Sequence, residues 1–165
     1  MLDHIRSRRA TDHYPPFPNP GSRVPWSERV NPQRILGIEN SMRIEKTVLI
    51  AEPTGALSSE LASFMVKRGL RSLQAGTLQE TLLAIQKERV DALVLDAALL
   101  GEDCRFISII KGIVEDLPVI LCAETNTPEF ESKVRQERVF FYHIKSFGPR
   151  DLEMAIANAV NRSAR

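Results

Sequence analysis

Four positions in this 165-residue chain carry side chains that bear on one kind of chemistry. Asp96 ends the apolar run Ala92-Leu93-Val94-Leu95 and opens a turn. Glu52 follows the run from Thr47 to Ala51, Ala123 follows Val119 to Cys122, and Lys145 follows Phe140 to Ile144. Short apolar runs bounded by polar turns read as buried strands. The C-terminal tips of parallel strands are where open α/β sheets hold their ligands. A carboxylate, a second acid and an ammonium at neighbouring tips outline a phosphoacceptor pocket. Pro53 stands beside Glu52, and only a methyl group stands at Ala123.

The elements that must position these residues alternate in type. Strands are expected at Thr47 to Ala51, Arg71 to Gln74, Ala92 to Leu95, Val119 to Cys122 and Phe140 to Ile144. Between them, Leu57, Leu61, Phe64 and Met65 recur at helical spacing, and Gly69 stops that helix. Thr77 and Glu80 have capping-box spacing and open a second helix, with Leu78, Leu82 and Ile85 on one face. Phe106, Ile109, Ile110 and Ile113 mark a third, weakened near its end by Gly112. Thr127 followed by Pro128 starts a polar fourth helix. Pro149 opens the last, with Leu152, Ala155, Ile156, Ala159 and Val160 as its apolar stripe. Such alternation predicts a flavodoxin-like (βα)5 three-layer sandwich, its parallel sheet ordered 2-1-3-4-5. That order sets the tips of strands one and three side by side, and with them Glu52 and Asp96.

Composition excludes more than it selects. Hydrophobic content of 43% and charged content of 26% suit a soluble globular protein. A net charge of +1 gives no sign of a nucleic-acid or membrane partner. No apolar run approaches the ~18 residues of a spanning helix, and the N-terminus lacks a secretory h-region. Cys104 and Cys122 are too few and too isolated for a disulfide framework or metal cluster. A cytoplasmic location is expected. The lone His143 in a strand reads as a packed or surface residue. Residues 1–44 hold six of the ten prolines, with seven arginines against four acids, a local charge of +3. They lack apolar periodicity and are expected to form a disordered tail, leaving 45–163 as the folded domain. Met42 lies just ahead of the first strand and is a natural alternative start of translation.

The segment from about Lys46 to Asn161 resembles the receiver domain of two-component response regulators. The matching stretches are Val48-Leu49-Ile50-Ala51-Glu52-Pro53, Asp91 to Asp96 followed by Gly101-Glu102-Asp103, Pro118-Val119-Ile120, and Tyr142-His143-Ile144-Lys145-Ser146-Phe147. The resemblance implies that Asp96 is the acceptor whose carboxylate attacks phosphorus and becomes an acyl phosphate. It implies Lys145 as the phosphate-binding cation and Tyr142 as the aromatic that turns inward on activation. Mg²⁺ is held in this family by an acidic pair after the first strand together with the acceptor. Here Glu52 and Asp96 remain as metal ligands, while Pro53 offers neither carboxylate nor amide donor, so Mg²⁺ binding is expected to be weak. Ala123 stands at the switch position, where a hydroxyl would read the phosphoryl group; a register slip of one would put Cys122 there. Ser146 replaces the proline that usually follows the lysine.

Taken singly, Asp96 also reads as a capping acid, Lys145 as a surface lysine, Tyr142 as strand core and Glu52-Pro53 as a turn. Their joint order selects the receiver pattern. The expected function is that of a stand-alone, degenerate receiver (a pseudo-receiver) in phosphorelay signalling. It would be no enzyme, and would act through contacts with a histidine kinase or another signalling protein. A homodimer through the fourth helix, fifth strand and fifth helix is the expected self-contact. Because the chain ends soon after the fifth helix, no output domain is expected. Two alternatives stay open: a fully phosphorylatable receiver served by a histidine kinase, and a flavodoxin-like small-molecule binder. The second lacks a Gly-rich phosphate loop after the first strand, where Pro53-Thr54-Gly55-Ala56 stands instead.

Overall fold

Three strands of the sheet are wholly buried, and this is what forces helices onto both of its faces. In the computed structural model, which describes residues 45–101 and 104–163, β1 (Thr47–Ala51), β3 (Ala92–Asp96) and β4 (Val119–Ala123) are buried at every position. A parallel strand covered on both sides reads as a continuous apolar run. β2 (Arg71–Ala75) and β5 (Phe141–Ile144) form the more exposed edges. The order is β2-β1-β3-β4-β5 and every pairing is parallel, as the sequence predicts.

Period-two alternation divides the core. Val48, Ile50, Val94, Ile120 and Cys122 pack on one face against α1 (Ala56–Arg68) and α5 (Pro149–Arg162). Leu49, Leu93, Leu95 and Leu121 pack on the other against α2 (Leu78–Lys87), α3 (Arg105–Ile113) and α4 (Pro128–Gln136). Each fully buried Leu or Ile contributes ~1.5–3 kcal/mol relative to exposure. The helix boundaries follow local chemistry. Gly69 adopts φ 61° after α1 and its N–H closes onto Val66 O. Thr127 caps α4 by accepting from Phe130 N–H, with Pro128 in the first turn.

Several expectations are refined. β2, β3 and β4 each run one residue further, to Ala75, Asp96 and Ala123, and β5 begins at Phe141. Phe140 still donates its N–H to Val119 O at 2.8 Å. The box at Thr77 is only half formed: Thr77 accepts from Glu80 N–H, but the Glu80 carboxylate accepts from Gly76 N–H. The apolar residues that mark α3 do not all face inward. Ile107 and Ile110 are buried, while Ile109 and Ile113 are 53% and 43% exposed. Glu102, Asp103, the N-terminal tail and Met42 lie outside the described residues.

At the N-terminal end of the sheet, buried Asp91 ties both ends of the domain together. It accepts from Thr47 N–H at 2.9 Å, Lys46 Nζ at 3.1 Å and Ser163 Oγ at 3.3 Å.

Candidate functional site

The strand register carries the acidic residues to one rim. Ala51 pairs with Leu95, so Glu52 and Asp96 follow at adjacent tips. Asp96 pairs with Cys122, and Cys122 with His143. Strand residues in register share a sheet face, so Asp96, Cys122 and His143 lie in one row on the side covered by α1 and α5. Ala123 pairs with Ile144 and takes the opposite face.

Asp96 is the centre of the site. Its Oδ1 accepts from Ala98 N–H at 3.0 Å, which caps the 3-10 turn Ala97–Leu99. Its Oδ2 accepts from Lys145 Nζ at 2.7 Å. Lys145 opens the 3-10 turn after β5, and β4 lies between β3 and β5 in the sheet. The four-carbon stem must therefore cross the end of β4 to reach Asp96. Glu124, the first residue past β4, meets the ammonium from the other side at 2.7 Å. Burial works against the Lys145 charge, but the hydrogen bonds and charges of Asp96 and Glu124 outweigh it and raise its pKa. Sequence reasoning missed Glu124. The only available signal was its place directly after the fourth strand, next in line to the tip occupied by Ala123.

Glu52 is equally buried but differently engaged. One carboxylate oxygen accepts from Leu57 N–H at 2.8 Å and the other from Ser58 N–H at 2.6 Å. These are first-turn amides of α1, which lack partners within the helix, and a carboxylate also suits the positive end of the helix dipole. Gly55 at the helix entry makes no side-chain cap, so Glu52 supplies it from the strand end. Pro53 is exposed and adds no ligand. A Mg²⁺ ion here would have to share Glu52 with two amides. Among the described residues no three His, Cys, Asp or Glu side chains are grouped to hold a metal ion, and the residues present do not complete an octahedral oxygen site.

The switch positions are also placed. Ala123 is buried and presents only a methyl group. Cys122 is fully buried beside Asp96, and burial followed by the Asp96 charge pushes its thiol up to about 12. It stays protonated at neutral pH and packs as a small apolar group. The Tyr142 ring lies half-buried against Phe130, and its hydroxyl donates to Asn126 Oδ1 at 3.3 Å. Asn126 in turn donates to Glu131, so the aromatic is tethered to the loop that follows β4.

No family model matches the chain, and no curated protein matches it in sequence. Many solved structures do share its fold. A CheY-like receiver domain protein from Methanospirillum hungatei superposes with a TM-score of 0.64 at 18% identity, covering 72% of this chain and 96% of that one. A response regulator receiver domain from Clostridium thermocellum gives 0.61 at 21%, over 71% and 95% of the two chains. The beryllofluoride-activated NtrC4 receiver domain dimer gives 0.64 at 22%, over 72% and 98%. Likeness at such identities speaks for architecture, and on that ground the chain has the CheY-like receiver fold.

Proposed function

We propose that this chain is a receiver module of two-component signalling that keeps its acceptor position but works mainly through protein contacts. The observation that carries the reading is the 2.7 Å pair between Lys145 Nζ and Asp96 Oδ2 at the C-terminal rim of the sheet. A nucleophilic carboxylate beside an ammonium is the minimum needed to receive a phosphoryl group and hold its oxygens. Asp96 would be an acceptor rather than a turnover catalyst.

Four observations favour impaired phosphorylation. Pro53 offers no ligand, Glu52 caps α1, Ala123 has no hydroxyl, and Glu124 already occupies Lys145. Mg²⁺ would bind weakly through Asp96 and a shared Glu52. Output would pass through the α4-β5-α5 side, where Phe147 is 75% exposed and Phe141 and Met154 also reach solvent. These three exposed apolar groups, on β5, in the turn after it and on α5, suit a protein partner, such as a histidine kinase or a second copy. Among the described residues no helix is long and apolar enough to cross a membrane.

The test is incubation of the full chain with acetyl phosphate and millimolar Mg²⁺, read by intact mass. Little or no gain of one phosphoryl group is expected. A near-complete, hydroxylamine-labile gain that vanishes in Asp96→Asn would instead establish a working phosphoacceptor.

A further inference from the structure

A cleft of about 630 Å³ opens at the N-terminal edge of the sheet, the opposite end from Asp96. Arginines from three separate segments line it: Arg89 ahead of β3, Arg138 just past α4, and Arg162 in the last turn of α5. Lys111 of α3 lines it too, but its ammonium donates to the main-chain carbonyls of Glu137 and Arg138 and so braces the wall. Glu115 and Asp116 share the lining. Four cations against two acids leave the cleft positive.

Two of the guanidiniums are held rather than loose. Arg162 lies over the Phe140 ring, 5.9 Å from its centroid. Arg89 Nε stands 3.7 Å from the buried Asp91 carboxylate. Arg138 has φ +52°, the one positive φ at a non-glycine residue among those described. Glycine is the unstrained choice at such a post-helix position, and Gly69 takes it after α1. Helix C-termini attract cations through the backbone dipole, which accounts for basic residues near these ends. It does not account for a long side chain kept where the backbone favours none, nor for three guanidiniums lining one cleft. Planar guanidinium forks match phosphate oxygens two at a time.

We propose that this cleft is a second site, separate from the Asp96 pocket, which binds a phosphate-bearing anion such as a phosphomonoester or diphosphate through Arg89, Arg138 and Arg162.

The experiment is calorimetric titration of the full chain with inorganic pyrophosphate at low, fixed ionic strength, since screening weakens exposed charge contacts. One saturable site is expected, weakened about tenfold or more in Arg138→Gly and in Arg162→Gln, a loss of roughly 1.4 kcal/mol each, and unchanged in Asp96→Asn. Arg138→Gly separates binding from folding. It relaxes the backbone, so its melting temperature should be no lower than the parent's while its affinity falls. The proposal is overturned by no saturable heat at millimolar pyrophosphate, or by affinity that survives both arginine substitutions. Tighter binding in Asp96→Asn, which frees the Lys145 ammonium, would also overturn it, by placing the anion at the other rim.

Discussion

The two halves of the C-terminal rim hold buried carboxylates that do different work. On the β1 side, Glu52 spends both oxygens on the amides of Leu57 and Ser58 and becomes part of α1. Towards β5, Asp96 gives one oxygen to the Ala98 amide and the other to Lys145. Burial does not separate them, because they are 4% and 2% exposed. The partner does. Main-chain amides are fixed by the helix they belong to, so a carboxylate bound to them is structural. An ammonium on a flexible stem can change partners, so the carboxylate it neutralises can meet an incoming group.

That contrast can be broken by removing one partner at a time. Lys145→Ala has the largest expected effect, about 3 kcal/mol of lost stability in urea unfolding, because it leaves the Asp96 carboxylate buried with only an amide. A loss within error would mean that solvent already satisfies Asp96. Glu52→Ala should cost about 1–2 kcal/mol by uncapping α1, with Glu52→Gln losing less since its carbonyl oxygen still accepts. Equal stability of parent and Glu52→Ala would remove the capping role.

Glu124→Gln should have the smallest effect, at most about 0.5 kcal/mol, because Glu124 is 74% exposed and its ion pair is well screened. Its sharper signature is in alkali. The Lys145 pKa is raised in the folded chain, so the folded state binds the extra proton. The stabilisation is complete below the ordinary value of 10.5 and drains away as pH rises through the folded value. Glu124→Gln should move that loss to lower pH in pH-resolved denaturation curves. An unshifted alkaline limb would show that Asp96 alone sets it.

The sheet was legible because parallel strands buried on both faces have little room for polar residues, and each run ends where a turn begins. α3 was not legible in phase. Phe106, Ile107, Ile109, Ile110 and Ile113 spread apolar groups around much of the helix, so more than one stripe fits the spacing, and packing against the sheet chose Ile107 and Ile110. In the candidate site, the sequence marks Asp96 and Lys145 because each closes an apolar strand. It cannot mark the capping role of Glu52, which depends on how α1 enters, nor the hold of Glu124 on Lys145, which depends on a side chain crossing β4. The Ala123 position illustrates the same limit. Strand order puts it at a tip of the rim, one residue past Cys122, whose pairing with Asp96 only the register reveals.

The most direct test of the split rim is a Mg²⁺ titration of the parent and of Pro53→Asp, followed through the amide resonances of Leu57, Ser58 and Ala98. Restoring the missing carboxylate should raise Mg²⁺ affinity by about tenfold or more, in line with the losses seen when metal-site groups are removed. The parent should show no saturating shifts at millimolar Mg²⁺, while Pro53→Asp should saturate. Saturation in the parent at millimolar Mg²⁺, with all three amides moving together, would contradict the account.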